Sequence, residues 1–371
     1  MAFKIGTYTV ITNSGTIITD VVSTLTTAST YLITVYNGGA SVFTQVGSYR
    51  IIIENVINGA IEVHDRTGVN LSGISSSGSL PAGAMGSGII AQSVPSWTSY
   101  QGLIYIYGLD RGFLNVIINP YSSADHFGYP IAITNNIICI GATYYNSGRG
   151  RFYIYNTSGT LIATVTPVQN LFVNQYFPQT LTAGCGRIVA SQYLANSYAY
   201  VYIYSLTGAL LKTITSPDGS TGYFGMSVAI GCGKILIGEY GYNSYQGRVF
   251  LYDLNGNLLS TLVNPLSTAG FFGSSIAIGS GYIAIGASGG GSAISGNVYI
   301  YDLNGNLLQT ITDPLGGTYG NTDGFGASVS INSGLLAVCN QNIGYSANAW
   351  LYHLPDNIDS YYENILEEFS Y

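Results

Sequence analysis

Few residues in this sequence have the types and spacing that acid–base chemistry requires. The chain holds three histidines among 371 residues. His126 follows Asp125, and such a pair could transfer protons, but no nucleophile or metal ligand lies beside it in the sequence. His64 and His353 occupy strand positions where similar segments have tyrosine, which indicates a structural role. The sequence therefore predicts no catalytic residues.

Motifs for metals and cofactors are also missing. None of the four cysteines forms a C-x-x-C pair, so a zinc site is not predicted. Asp253–Asn257 and Asp302–Asn306 superficially resemble calcium loops, but their glycines come one place too early and no closing acid follows. Hairpin turns explain both segments. We therefore expect no metal and no cofactor.

The clearest binding signal is a set of aromatic residues in short loops. Tyrosine and tryptophan supply rigid contact area with a polar group. Neighbouring Asn, Gln and Ser residues add adaptable hydrogen bonds, and such a surface suits a glycan or a protein partner. The same tyrosines could instead pack one structural unit against the next, and both interpretations stay open. The candidate binding residues are Trp97, Tyr144, Tyr145, Tyr193, Tyr198, Tyr240, Tyr242, Tyr245 and Tyr345.

The composition excludes several classes of protein. Charged residues make up 7% of the chain, against about 25% in an ordinary globular protein. Nucleic-acid binding needs clustered Lys and Arg, so we expect no nucleic-acid partner. The hydrophobic fraction of 47% argues against disorder. No run of 18 apolar residues is present, so we expect no membrane insertion, and the chain start lacks the apolar segment of a signal peptide.

A repeat of about 48 residues organises the chain. Val249–Leu259 and Val298–Leu308 share a strand, an Asn-Gly turn suited to type I′ geometry, and a second strand. Phe224–Gly238 and Phe272–Gly286 share an upstream strand–turn–strand pattern. Four short strands in each of seven copies predict an all-β, seven-bladed β-propeller of four-stranded antiparallel blades. The third-strand aromatic residue recurs at Tyr107, Tyr155, Tyr204, Tyr252, Tyr301 and Tyr352, with His64 one period earlier.

The two ends of the chain complete this predicted architecture. The last unit stops after its third strand, and Tyr8–Ile18 resembles a third strand, a turn and a fourth strand. We therefore expect the ring to be closed by an N-terminal strand. Ser360–Glu363 is a capping box that begins a short amphipathic acidic helix. The predicted organisation is a clasp or attachment segment at 1–35, a propeller at 36–353 and an acidic segment at 354–371.

Two resemblances extend these predictions. The Phe-Gly dipeptides, the Ser-Ile-Ala-Ile strand and the Ile-Gly-Ala segments at 140–142 and 285–287 resemble the FG-GAP repeat of integrin-α-like propellers, over about residues 80–352. Members of that family often hold calcium in an acidic loop, but the corresponding link Gly279–Gly281 has no carboxylate. Lys4–Ile18 is similar to the openings of bacteriophage tail-fibre and other virion proteins.

These features favour a non-enzymatic structural or binding protein, most concretely a bacteriophage virion component that serves in decoration, as a tail or as a fibre. Its expected partners are other virion proteins, or a glycan or protein of the host surface. Its expected location is the virion, after synthesis in the host cytoplasm. Two alternatives stay open: a bacterial adhesin or lectin-like protein at the cell surface, and a propeller glycan lyase or hydrolase, which needs paired carboxylates or a His/Tyr set converging on the axial channel.

Overall fold

The computed structural model describes residues 10–11, 17–18, 30–35, 42–46, 51–55, 61–64 and 70–74, and then 83–94, 101–121, 124–167, 176–192, 199–219, 222–289, 296–314, 324–340 and 347–354. Before residue 80, Val63 is the side chain that it describes. Within these ranges the fold is almost entirely β-strand, as the abundance of Ile, Val, Tyr and Thr predicts. Helices in this part of the chain are too short and too polar to cross a membrane.

The strands before residue 80 are β1 (Val10–Ile11), β2 (Ile17–Ile18), β3 (Thr30–Val35), β4 (Val42–Val46), β5 (Ile51–Asn55), β6 (Ile61–His64) and β7 (Asn70–Ile74). The next twelve are β8 (Gly83–Gly86), β9 (Ile89–Val94), β10 (Leu103–Gly108), β11 (Phe113–Ile118), β12 (Phe127–Thr134), β13 (Ile137–Ala142), β14 (Arg151–Asn156), β15 (Leu161–Val165), β16 (Leu181–Gly184), β17 (Arg187–Gln192), β18 (Tyr200–Ser205) and β19 (Leu210–Thr215). The last eleven are β20 (Ser227–Gly231), β21 (Lys234–Glu239), β22 (Arg248–Asp253), β23 (Leu258–Val263), β24 (Phe272–Gly279), β25 (Tyr282–Ala287), β26 (Asn297–Asp302), β27 (Leu307–Thr312), β28 (Ser328–Asn332), β29 (Leu335–Cys339) and β30 (Ala347–His353). Two four-residue helical turns, Tyr145–Gly148 and Tyr242–Tyr245, lie between strands.

Apart from the hairpin β1–β2, the strands form four-stranded antiparallel sheets in which consecutive strands are neighbours. The sheets in chain order are β4–β7, β8–β11, β12–β15, β16–β19, β20–β23, β24–β27 and β28–β30 completed by β3. The first strand of each sheet contacts the first strand of the next, and β4 lies between β28 and β8. This is the arrangement of a β-propeller. The predicted propeller of four-stranded antiparallel blades is therefore confirmed.

The predicted count of seven blades is wrong, since the structure is a six-bladed propeller, and the closing strand is not the one predicted at Tyr8–Ile18. Six blades, β8–β11 through β28–β30 with β3, are joined in series by five apolar clusters between neighbours. The further sheet β4–β7 joins this series through Val63, which packs with Met85 and Ile90. The closing strand is β3, which pairs with β30 from Thr30 opposite Tyr352 to Val35 opposite Ala347.

The lengths of the two candidate strands explain why Thr30–Val35, and not Tyr8–Ile18, closes the ring. The outer strands of the other described blades have five or six residues, and β3 has six. The strands at Val10–Ile11 and Ile17–Ile18 have two residues each and pair with each other. A two-residue strand cannot cover the edge of β30. The predicted acidic helix within 354–371 begins beyond the described residues.

The Phe-Gly repeat is explained by contacts between blades. The phenylalanine is buried, as at Phe224 and Phe272. The carbonyl of the following glycine, Gly273, accepts a hydrogen bond of 2.6 Å from the Ser227 hydroxyl of the preceding blade. A Cβ added at Gly238 would lie 2.4 Å from the same carbonyl oxygen. The dipeptide therefore serves the junction between blades, where one backbone approaches another closely.

The hairpin turns differ from the predicted geometry. The turns between third and fourth strands place only the glycine of Asn-Gly at positive φ, for example Gly256 at 78°, and the Gly256 N–H donates to the Asp253 carbonyl. This is a three-residue loop with a glycine bulge, not the predicted type I′ turn. Type I′ geometry occurs instead between first and second strands, as at Cys232 and Gly233 (φ 49° and 69°).

The Asp-x-Asn-x-Asn segments use their carboxylates within these turns. An Asp253 carboxylate oxygen accepts hydrogen bonds from the backbone N–H groups of Asn255 and Asn257, and the other oxygen accepts from the Asn257 side chain. The Asn257 backbone and side-chain hydrogen bonds lower the pKa of Asp253 below its ordinary value. Asp302 makes the corresponding bonds in the next blade. These contacts agree with the hairpin interpretation of both segments.

Candidate binding face

Strand pairing brings two kinds of loop to one face of the ring. In one blade, Phe127 at the start of the first strand pairs with Ala142 at the end of the second, and Ala142 pairs with Arg151 at the start of the third. The links between blades and the loops between second and third strands therefore lie together. We name this surface the loop face. Its described part comprises residues 101–102, 119–121, 124–126, 143–150, 166–167, 176–180, 199, 216–219, 222–226, 240–247, 264–271, 288–289, 296, 313–314, 324–327 and 340.

The structure places five of the nine predicted binding residues on the loop face, namely Tyr144, Tyr145, Tyr240, Tyr242 and Tyr245. Two of them, Tyr144 and Tyr245, are the most exposed at 47% and 42%. The other four, Trp97, Tyr193, Tyr198 and Tyr345, lie outside the described residues.

Tyr145 and Tyr242 each pack against the guanidinium group of an arginine. The guanidinium carbon of Arg151 lies 3.6 Å from the ring centroid of Tyr145, and that of Arg248 lies 3.6 Å from the ring centroid of Tyr242. Both tyrosines are half-buried. Such cation–π contacts fix the ring positions. These two residues therefore match the structural interpretation of the tyrosines, in which they pack the loops.

The two arginines anchor these loops through buried ion pairs. Arg151 contacts the Asp125 carboxylate at 3.2 Å, and both side chains are at most 4% exposed. Arg248 contacts Glu239 at 2.6 Å and Asp218 at 2.7 Å. Burial lowers the pKa of Arg248, but the hydrogen bonds and charges of Asp218 and Glu239 outweigh burial and raise it overall. Most of the charge at this end of the blades is therefore paired inside the protein.

The first aromatic cluster consists of His126, Tyr144 and Tyr176. The His126 ring stacks on Tyr144 with centroids 4.1 Å apart and an interplanar angle of 24°. Tyr144 also meets Tyr176, from the link to the next blade, at 5.2 Å. Burial lowers the pKa of His126, although the charge of Asp125 opposes this. The lowered pKa favours the neutral imidazole, whose ring is part of the aromatic surface.

The second aromatic cluster consists of Tyr223, Tyr240, Tyr245 and Phe271. Tyr223 and Tyr240 stack with centroids 4.9 Å apart and nearly parallel planes, at 6°. Phe271 meets Tyr240 at 5.8 Å and Tyr245 at 5.1 Å, both edge-on. A hydrogen bond with Tyr223 raises the pKa of Tyr245. The four rings form one continuous aromatic surface.

The two clusters are built in a similar way in two blades. In each, the residue before Phe-Gly stacks on a tyrosine of the second–third loop, although Tyr144 lies one loop position later than Tyr240. That tyrosine also contacts the corresponding residue of the next blade, tilted at 59° for Tyr176 and edge-on at 87° for Phe271. The residues before the recurring phenylalanine are not among the binding residues predicted from the sequence. Their signal was available, because an aromatic residue precedes that phenylalanine in four consecutive copies. These residues are His126, Tyr176, Tyr223 and Phe271.

These four residues share an unusual backbone conformation. His126, Tyr176, Tyr223 and Phe271 have φ of 57°, 45°, 64° and 54°. Bulky residues rarely adopt this left-handed region, which costs about 1–2 kcal/mol for L-residues. Glycine pays no such cost, and Gly324 takes the same position in the next copy at φ 64°. The aromatic side chains are therefore held in place despite a local penalty.

The loop face does not present a catalytic set among its described residues. Asp125 and Glu239 are buried in the arginine ion pairs, and Asp218 is paired with Arg248 at the surface. No group of three His, Cys, Asp or Glu residues in the described ranges could hold a metal ion. What this part of the face offers is aromatic area, amides and hydroxyls.

Comparisons with known proteins bear on the fold. No protein-family model matches the sequence, so the FG-GAP and virion resemblances gain no support from one. No curated protein matches it. Among solved structures, a streptogramin B lyase structure matches with a TM-score of 0.62 and 12% sequence identity, covering 87% of this chain and 98% of that chain. At this identity the likeness concerns the fold alone, and the chain is thus shown to be a β-propeller.

Proposed function

We propose that the protein is a non-enzymatic binding propeller that recognises a glycan or a protein surface through its loop face. The observation that carries this proposal is the pair of aromatic clusters, each with an exposed tyrosine, Tyr144 or Tyr245. Rigid aromatic rings give large contact area for a small loss of side-chain entropy. The burial of Arg151 and Arg248 beneath the face leaves it suited to a partner of low charge.

The setting of this binding is a further part of the proposal. We place the protein in a bacteriophage particle, where the loop face would meet another virion protein or the host surface. The similarity of Lys4–Ile18 to virion proteins supports this setting. Mass spectrometry of purified particles should detect the chain, and its absence from them would contradict this part alone. A bacterial adhesin would use the same face on a cell surface.

An enzymatic function is the weaker alternative. One matching solved structure is described as a lyase, but its likeness to this chain is one of fold. Propeller glycan chemistry needs paired carboxylates, or a set of His and Tyr side chains, free to act on a substrate. Asp125, Asp218 and Glu239 are each bound to Arg151 or Arg248. The engagement of these three carboxylates favours binding over hydrolysis.

The test measures binding of the labelled full-length protein to a glycan array and to a panel of bacterial cell envelopes. Tyr144→Ala and Tyr245→Ala should each reduce binding several-fold. Phe113→Ala is the matched control, because Phe113 is 59% exposed but lies at the opposite end of its blade, after the hairpin turn. Periodate treatment of the envelopes should abolish binding to a glycan, and protease treatment should abolish binding to a protein. Binding that neither tyrosine variant alters, or no binding to any surface, contradicts the proposal.

A further inference from the structure

We infer that the acidic segment after Leu354, residues 355–371, folds back onto its own ring and covers exposed apolar side chains at the end of the blades opposite the loop face. We name this opposite end the turn face, because the turns between first and second strands and between third and fourth strands lie there. The segment itself lies outside the described residues. The contact is independent of the loop face and of the function proposed for it.

The rim of the turn face carries a repeated pair of exposed apolar side chains. In five consecutive blades the outer strand begins with two large apolar residues, each of them 40–59% exposed. The five pairs are Phe113–Leu114, Leu161–Ile162, Leu210–Leu211, Leu258–Leu259 and Leu307–Leu308. A single exposed leucine needs no explanation, but apolar side chains repeated along one rim form a patch of the kind that marks an interaction site.

Leu354 directs the residues that follow it toward this rim. It takes the position that Leu303 holds in the preceding blade, at the start of the third–fourth turn. Its N–H donates a hydrogen bond of 2.8 Å to the Gly334 carbonyl, and its side chain is buried in the same apolar cluster as Ile311 of β27. The chain therefore leaves the described fold beside the strand that carries Leu307–Leu308.

The equivalent turn of the preceding blade shows where this path leads. A Cβ added at Gly305 of that turn would lie 2.8 Å from the Leu262 side chain, which belongs to the outer strand one blade further back. For the blade that contains Leu354, the corresponding neighbour is β27. A segment that continues from this turn therefore meets Leu307–Leu308 first and Leu258–Leu259 of the next blade second.

The sequence of the segment suits such a surface. Its capping box, Ser360–Glu363, predicts a helix, and one face of that helix carries Tyr362, Ile365, Leu366 and Phe369. The acids lie off that face or in the linker, at Asp356, Asp359, Glu363, Glu367 and Glu368. An extended linker over 355–359 and a helix over 360–371 span about 35 Å, whereas packed sheets lie about 10 Å apart. The segment is therefore long enough to cross the rims of β24–β27 and β20–β23.

The charges of the turn face complement those of the segment. Outside the loop face and the two buried arginines beneath it, the described cations all lie at the turn face, and they are Arg111, Arg187, Lys212 and Lys234. Lys212 is exposed and lies against the turn before Leu258–Leu259, where a Cβ added at Gly256 would be 2.8 Å from its side chain. It forms no ion pair with another described residue. The carboxylates of Asp253 and Asp302 on the same face are bonded within their own turns. An acidic helix that covers Leu258–Leu259 therefore brings its carboxylates to Lys212.

Zero-length coupling with a carbodiimide tests this contact in the full-length chain. The reagent joins a carboxylate and a lysine amine that touch into an amide, and the carbodiimide takes up the released water as a urea. Peptide mass spectrometry of the monomeric protein should find Lys212 joined to an acid of 355–371. When the chain is mixed with a copy labelled with heavy nitrogen, both halves of each linked peptide should come from the same copy.

Two double variants compare equivalent apolar pairs. Leu307→Ser/Leu308→Ser removes the pair nearest to Leu354 and should lower the yield of the link several-fold. Leu161→Ser/Ile162→Ser is the matched control and should leave the yield unchanged, because its side chains are similarly exposed but lie on β12–β15, which β16–β19 and β20–β23 separate from β24–β27. All four side chains are exposed, so unchanged melting temperatures should show that the ring is intact.

Three results would overturn the inference. They are linked peptides that combine both isotopes, which would place the segment on a second copy, equal yields in the two double variants, and no link between Lys212 and the segment. Ile365→Ser/Phe369→Ser, within the segment, should lower the yield as Leu307→Ser/Leu308→Ser does. Binding through Tyr144 and Tyr245 should be the same in all these variants, so failure of this inference leaves the proposed binding function standing.

Discussion

The buried ion pair beneath the second aromatic cluster makes a quantitative prediction about stability. Arg248→Met keeps most of the side-chain volume but leaves the Glu239 carboxylate without its cation. Glu239 is fully buried, and its remaining described partner is the Ser216 hydroxyl at 3.3 Å. Removal of one partner of a buried pair costs about 3–5 kcal/mol, because an uncompensated charge stays inside the protein. The lost contact with Asp218, which is 47% exposed, adds less than about 1 kcal/mol.

Equilibrium urea unfolding at 25 °C, followed by circular dichroism and by the fluorescence of buried Trp350, measures this cost. The double variant Arg248→Met/Glu239→Leu removes the stranded charge and should recover more than half of the loss, because a buried pair and an apolar replacement are often close in free energy. Glu239→Leu alone leaves Arg248 with Asp218 and should be milder than Arg248→Met. The reasoning is refuted if Arg248→Met costs under about 1 kcal/mol, or if the two substitutions are simply additive.

Three further predictions concern the junctions, the closure of the ring and the buried tyrosines. Gly247→Ala should lower the free energy of unfolding in urea by about 2–4 kcal/mol, since φ is +80° and the new Cβ would lie 2.1 Å from the Phe272 carbonyl oxygen. Gly233→Ala, at φ +69° in open space, should lower it by about 1 kcal/mol. Equal losses would argue against the close contact between blades. Deletion of residues 1–36 should lower the melting temperature clearly more than deletion of residues 1–22, because only the longer deletion removes the closing strand Thr30–Val35. Equal losses from the two deletions would instead indicate residues 8–18 as the clasp. Burial raises the pKa of Tyr155 and of Tyr252 to about 12, above the value of about 10 in the unfolded chain. The stability that the neutral phenols contribute is therefore complete below pH 10 and is lost as pH rises to 12, by about 1.4 kcal/mol per pH unit for each tyrosine. A urea midpoint that does not change between pH 10 and 12 would contradict this prediction.

Local patterns were sufficient to predict the blades. Successive side chains of the third strand point to opposite faces of the sheet, and in Arg248–Asp253 the side chains on both faces are buried. Such a strand can be stable only between neighbouring sheets. The period of about 48 residues and the turn residues then define four strands per unit. Closure of the ring was not predictable in the same way. The choice between Tyr8–Ile18 and Thr30–Val35 depends on which segment matches the free edge of β30, and that edge exists only in the folded ring.

The candidate binding residues were likewise predictable only in part from the sequence. Tyr144, Tyr240 and Tyr245 could be named from their loops, because aromatic residues in short polar loops form a recognisable local pattern. That Tyr145 and Tyr242 instead pack beneath arginines depends on Arg151 and Arg248 entering from the next strand and on carboxylates from other segments.

By itself the sequence determined the repeat, the low charge and the four-stranded blade, since these follow from periodicity and composition over neighbouring residues. Tertiary structure decided the strand that closes the ring, the burial of the few charges and the joining of His126 and Tyr223 to the loop tyrosines. The physical reason is that an ion pair or a ring stack depends on distances between residues far apart in the chain, which exist only after the blades have packed together.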